Sequence, residues 1–380
     1  MKLEVKNCPR IVRFPRLLPS LKILSVANIN QMLLGSVANY TSLTELSVGG
    51  FPEVKCLPEE LGPNHGVLHT FEIRDCPKLM SVSNQLENLH ALKTLVLDGC
   101  TDLVLSLPDW GLQNHQQQQQ CPPLSSLQRL EISNSCENQT SLPGDGIVLT
   151  SLSRLNITSC KNIESLSDDM LRHLTILEID DCPKVFSSPV SLKNLNSLKL
   201  LRISRCPGMM NLLQHAESLT SLTWLRIRDC PGMSSLPESI GDLTSLTQLW
   251  IRDCPGMSSV PESIGDLTSL TVLVIRSCPE ITTLPEGLQR LTNLRHLSIR
   301  ECPILQRRLR CDEGQDWHKV AHVPRILIDG QDPRDSLSSV GRLSLMDSLK
   351  MGCNIFNTKK LLLPSCCSSS PSSSSTSPPT

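Results

Sequence analysis

Residues 219–242 read LTSLTWLRIRDCPGMSSLPESIGD, and the next 24 residues read LTSLTQLWIRDCPGMSSVPESIGD. A chain that repeats itself in such short steps is restricted to folds that grow by stacking, because one unit is too small to hold a core of its own. Aligned on L-x-x-L-x-[LIV]-x-x-[C or apolar], the sequence resolves into thirteen units whose last positions are Cys8, Ile29, Phe51, Cys76, Cys100, Cys136, Cys160, Cys182, Cys206, Cys230, Cys254, Cys278 and Cys302. Most units follow one another at 22 to 25 residues. One interval is longer and carries the insertion QNHQQQQQCPP, and at EISNSC the cysteine stands one residue later than usual.

This period and signature define a leucine-rich repeat, with one short strand and one return segment per unit. In the unit ending at Cys230, alternation along a strand turns Leu222, Leu225 and Ile227 inward and Trp224, Arg226 and Arg228 outward. The expected fold is an α/β solenoid of the horseshoe type, a parallel sheet on the concave side with short helical or 3₁₀ segments on the convex side. Thirteen strands about 4.8 Å apart give a sheet on the order of 60 Å long. In the return segment MSSLPESIGDL, the spacing of Leu236, Ile240 and Leu243 buries one face of a short turn, with Pro237 fixing φ at its start. The expected organisation is a solenoid over 1–302 with a Gln-rich insertion near 113–123, a C-terminal cap over 303–330, and a disordered Ser/Pro-rich tail over 331–380.

Composition narrows the function classes. The formal net charge of -1 creates no overall field that would attract a phosphate backbone or an anionic bilayer, so neither nucleic acid nor membrane is an expected partner. The N-terminal residues MKLEVKNCPR hold no apolar signal region and no apolar run is long enough to span a bilayer, which points to an intracellular chain, cytoplasmic or nuclear. Three Asn-x-Thr sequons, at Asn39, Asn138 and Asn156, pull weakly the other way. The 17 cysteines are expected to be reduced, and their column to be a stack of small buried thiols: zinc motifs use much closer spacing, and Ile29 and Phe51 stand in the same column.

The Cys-Pro after the strand, the LPE of the return segment and the segment ILQRRLRCDEGQDWHKVAHVPRILIDG together resemble the repeat region of plant nucleotide-binding leucine-rich-repeat disease-resistance proteins, over about residues 1–330. The resemblance implies intracellular immune recognition, with a pathogen effector or a guarded host protein as partner, or a nucleotide-binding domain supplied by another chain. No G-x-x-x-x-G-K-[ST] phosphate loop occurs, so no nucleotide or other cofactor is carried over. Met1 opens inside a repeat, which points to a fragment, a truncated product or a repeat-only relative. Two other settings share such repeats: a substrate-recognition subunit of a ubiquitin ligase, which carries an F-box ahead of them, and an extracellular receptor fragment, which has Asn where Cys stands here.

Recognition is expected on the concave face, where the letters change between otherwise identical units. The candidate partner-binding residues are Trp224, Arg226, Arg228, Gln248, Trp250, Arg252, Val274, Arg276, His296 and Arg300. Trp224 and Trp250 are expected to be diagonal neighbours, either as interface anchors or covering each other. Arg228, Arg252, Arg276 and Arg300 share one slot in four successive units, with Asp229, Asp253 and Glu301 placed to offset them. Asp98 and Asp180 hold the same slot earlier, so the face changes sign along its length. Cys311, His318 and His322 make a weak metal pattern, for which a packed cap is the expected reading. No catalytic arrangement is legible, and no enzyme activity is expected.

Overall fold

The computed structural model describes residues 1–333 except 15–17, 62–63, 87, 106–123, 143–148, 186–193 and 311–313. The Gln-rich insertion, Cys311 and the tail beyond 333 lie outside the described residues. Every element below belongs to one unit, Met1–Asp335.

Among the described residues, fourteen strands pair in one parallel sheet, in strict chain order. Thirteen of them fall one to a unit of the sequence pattern, from Lys2–Lys6 to His296–Arg300. The register never slips: Leu225, Leu249, Leu273 and Leu297 face one another in one row, and Ile227, Ile251, Ile275 and Ile299 in the next. These rows are fully buried, as are the return-segment residues Leu236, Ile240 and Leu243. Burying each such side chain contributes about 1.5–3 kcal/mol, and most of that burial is against the neighbouring unit.

The sheet continues one strand beyond the thirteen units. Arg325–Ile328 pairs in parallel with His296–Arg300, placing Ile326 opposite Leu297. Here the return path is made by two α-helices, Pro303–Arg308 and Trp317–Val320, which bury Leu305, Leu309 and Val320 against the last repeats. Asp316 ties this layer down. Its carboxylate lies 2.9 Å from Arg308 and 3.0 Å from Lys319, and accepts from the Thr283 hydroxyl and the Leu284 amide.

The return segments Glu238–Asp242, Glu262–Asp266 and Glu286–Arg290 are 3₁₀ turns, each entered through a proline, Pro237, Pro261 and Pro285, with φ near -70°. Elsewhere the same job is done by a longer 3₁₀ segment, Gln31–Asn39, by the α-helix Met209–Gln214, or by a two-strand ladder between Ser141–Leu142 and Ser165–Leu166.

Each of the fourteen strands of the main sheet is followed by a left-handed residue. Asn7, Asn28, Gly50, Asp75, Gly99, Asn134, Ser159, Asp181, Arg205, Asp229, Asp253, Ser277, Glu301 and Asp329 all have φ between 46° and 70°. That conformation turns the amide toward the next unit, so that Asp229 N donates to Arg252 O and Asp253 N to Arg276 O. Gly, Asn and Asp dominate the column because they tolerate positive φ best.

The cysteine that follows points into the core. Cys76, Cys100, Cys136, Cys160, Cys182, Cys206, Cys230, Cys254, Cys278 and Cys302 are buried free thiols, as the packing reading expects. Most donate to the carbonyl two residues back, as from Cys254 Sγ to Arg252 O at 3.1 Å. Cys8, in the first unit, is exposed. The late cysteine at 136 is accommodated by Ser135, whose buried hydroxyl accepts from Cys100 N and donates to Ser133 O.

Candidate recognition surface

Strand alternation presents three rows of side chains on the open face of the sheet. Over the first nine strands these rows mix both signs: Glu4, Glu45, Glu72, Asp98, Glu131, Glu178 and Asp180 stand among Lys2, Lys6, Arg74, Arg129, Arg154 and Arg202. Over the last five the outward residues are Trp224, Arg226 and Arg228, then Gln248, Trp250 and Arg252, then Val272, Val274 and Arg276, then His296, Ser298 and Arg300, then Arg325 and Leu327. Six arginines stand there without one outward carboxylate.

The expected partner-binding set therefore shares one continuous surface, but not with equal exposure. Arg228 is exposed, while Trp224, Arg226, Gln248, Arg252, Arg276, His296 and Arg300 are half-buried. Trp250 and Val274 keep only 8% of their surface. Register explains the difference: Trp250 lies beside Arg226 and diagonal to Trp224, and the two indoles pack with centroids 6.0 Å apart at 50°. The Arg252 guanidinium covers the Trp250 ring at 4.4 Å, a cation–π arrangement. Neither indole Nε1 finds an acceptor among the described residues, although both atoms are shielded.

The acids that offset the arginine row act mainly across repeats. Arg228 Nε lies 3.0 Å from Asp253 and 3.2 Å from Asp229, and Arg276 lies 2.9 Å from Glu301. Behind them Arg205 bridges Asp180 and Asp229, at 2.8 and 3.8 Å. Burial pushes the Asp180 carboxyl above its usual range even though Arg205 pulls it down. These pairs are about half exposed and each contributes at most ~1 kcal/mol. Arg300 and Arg325 have no carboxylate within ion-pair distance among the described residues. Burial and the charge of Arg325 hold the His296 imidazole below its ordinary pKa, adding to its preference for the neutral form.

A second feature escapes the repeat pattern. The sequence CPGM occurs three times, starting at Cys206, Cys230 and Cys254. The second and third copies close on each other: a Cβ on Gly256 would stand 2.3 Å from Pro231 O, and Ser258 N donates to Ser234 O. The first copy instead runs into the helix Met209–Gln214, with Gly208 as its N-cap, and Gly232 has nothing within 4 Å. The gap is a cavity of about 730 Å³ lined by Pro207, Met209, Met210, Pro231 and Met233, with Arg205, Asp229 and Asp253 at its polar side. Its size lies within the range of ligand pockets, roughly 300–1,000 Å³.

In the cap, His318 Nε2 lies 3.4 Å from Glu286 and His322 Nε2 lies 3.2 Å from Leu291 O, so the two histidines face different partners. Among the described residues no three His, Cys, Asp or Glu side chains converge as metal ligands, and no helix is long and apolar enough to cross a membrane.

The architecture and this face define a leucine-rich-repeat solenoid. Residues 180–309 match the family described as a leucine-rich repeat region. In sequence, no curated protein matches the chain. Among solved structures, TLR13 in its complex with ssRNA13 is similar over 85% of this chain and 50% of that one, at TM-score 0.52 and 15% identity. A leucine-rich-repeat protein of Leptospira interrogans is similar over 86% and 89%, at TM-score 0.49 and 20% identity. An internalin of Listeria monocytogenes is similar over 85% and 80%, at 0.46 and 18%. Identities this low bear on the fold alone.

Proposed function

We propose that the chain is a protein-recognition module that binds its partner on the open sheet face of its last five strands. The observation that carries this reading is the segregation of six arginines and two tryptophans onto one patch of a rigid, in-register surface. Arginine and tryptophan are the side chains most enriched at interface hot spots, and side chains held by packed strands keep their positions without further ordering cost. The role requires no bond-making step. The finer setting, intracellular immunity in plants with a pathogen effector or guarded host protein as partner, rests on the sequence resemblance of the CP and LPE signatures.

Proximity labelling from plant tissue tests it, with the intact chain compared against a variant carrying Trp224→Ala and Arg276→Glu. Specific neighbours that disappear with the variant, while its thermal unfolding is unchanged, support the reading. An identical set of neighbours for both proteins moves the recognition surface elsewhere.

A further inference from the structure

We propose that the partner segment seated on this surface is an acidic polypeptide carrying alternate apolar side chains. The inference rests on the reading of the sheet face as a recognition surface and adds the chemistry of what it takes.

Two parallel stripes cross the last strands. The middle row runs Arg226, Trp250, Val274, Ser298, Leu327, and is apolar at three of five positions. The adjacent row runs Arg228, Arg252, Arg276, Arg300. The two rows are two residues apart along each strand, or about 6.6 Å, and the patch is roughly 20 Å across. A polypeptide of about six to eight extended residues spans that width. Its carboxylates meet the arginine row while its apolar side chains pack on the half-buried Val272 and Leu327 and on the narrow edges that Trp250 and Val274 leave open.

The molecule already shows this chemistry within itself. Arg228 and Arg276 are each engaged by a carboxylate from the next repeat, Asp253 and Glu301. Arg300 and Arg325, at the end of the patch, have no such carboxylate among the described residues. A ligand rich in carboxylates supplies what Arg300 and Arg325 lack.

A nucleic-acid strand fits less well. The basic patch ends at the strand Leu200–Ser204, beyond which Glu178 and Asp180 would meet a continuing phosphate chain. The apolar stripe has no counterpart in a uniformly charged backbone.

The test is a selection of random dodecapeptides on the intact chain, followed by fluorescence anisotropy of the enriched peptides and of a single-stranded oligothymidylate of matched charge. Enriched peptides should be rich in Asp and Glu alternating with aliphatic or aromatic residues. Their binding should weaken with salt, fall more than about tenfold in Arg252→Glu/Arg276→Glu, and survive in Arg252→Lys/Arg276→Lys. A Lys2→Glu/Lys6→Glu control at the far end of the sheet should leave it unchanged. Enrichment without acidic bias, indifference to the Arg252→Glu/Arg276→Glu reversal, or oligothymidylate binding as tight as the peptides would each overturn the proposal. If selection fails while the tissue experiment still loses neighbours with the Trp224→Ala/Arg276→Glu variant, the acidic-ligand inference falls and protein recognition stands. If both fail, the recognition surface itself is wrong.

Discussion

Arg228 Nε lies 3.0 Å from a carboxylate oxygen of Asp253, 25 residues away in sequence and one unit along in space. Asp253 reaches it from a left-handed backbone, φ 54°, that the fold requires at this position in every unit. One residue thus serves the turn and the charge balance of the recognition face at once.

The two roles separate on substitution. Asp253→Asn keeps a side chain tolerant of positive φ, as Asn7, Asn28 and Asn134 are in the same column, so only a half-exposed ion pair is lost and stability should fall by at most ~1 kcal/mol. Asp253→Val places a β-branched residue there and should cost at least about 1–2 kcal/mol more. Thermal unfolding of the two variants decides it; equal losses would mean that the turn tolerates branching.

The unequal CPGM copies make a sharper stability test. Gly256→Ala drives a Cβ into the Pro231 carbonyl and should lower stability by about 1–3 kcal/mol. Gly232→Ala points into the open cavity and should be neutral or stabilising, by up to about 1 kcal/mol. Matching shifts in unfolding temperature for the two variants would show that the gap beside Met209 closes in solution.

The C-terminal layer should weaken in acid. Arg308, Lys319, Thr283 and Leu284 all favour the ionised Asp316 and hold its carboxyl well below the ordinary aspartate range against the opposing effect of burial. With the folded pKa depressed, its contribution is fully present above the unfolded value, near 4, and is lost progressively as pH falls below that. Hydrogen exchange at the strand Arg325–Ile328 should therefore rise in acid before exchange in the central strands does. Asp316→Ala should cost about 1–3 kcal/mol at neutral pH, chiefly by leaving the Thr283 hydroxyl and the buried Leu284 amide without their acceptor, since Lys319 keeps Glu286 at 3.3 Å and Arg308 is partly exposed. Uniform exchange across the sheet at low pH would contradict this.

Alkylation should distinguish the cysteines. Burial pushes the thiols of Cys100, Cys136 and Cys206 up to about 12. Cys254, lowered by its hydrogen bond with Cys230 but raised by its hydrogen bond with Cys278 and by burial, reaches about 11. Cys160 and Cys278 are lowered by hydrogen bonds with Cys182 and Cys254, so for them it is burial that denies access to the reagent. Mass spectrometry after brief iodoacetamide treatment should find Cys8 and Cys56 labelled and the buried column from Cys76 to Cys302 protected until denaturant is added. Labelling of Cys206 or Cys230, which line the cavity, in the native chain would show that the reagent reaches the thiol column through it and would contradict the protection expected here.

Much of this protein is written locally. Leu and Ile at fixed offsets, mostly Gly, Asn or Asp after the strands and, in the later units, a proline ahead of the return turn specify thirteen strands, their inward rows and the diagonal meeting of Trp224 with Trp250, because alternation and period depend on the chain alone. Tertiary structure decided the rest. The strand Arg325–Ile328 carries no Cys-Pro or LPE mark, and it is recruited because the exposed edge of His296–Arg300 pairs with the next apolar segment that can reach it. The covering of Trp250 depends on which side chains the register sets beside it, and the cavity on one return segment winding into an α-helix while its neighbours do not. Such outcomes turn on contacts between units, and a sequence states its units one at a time.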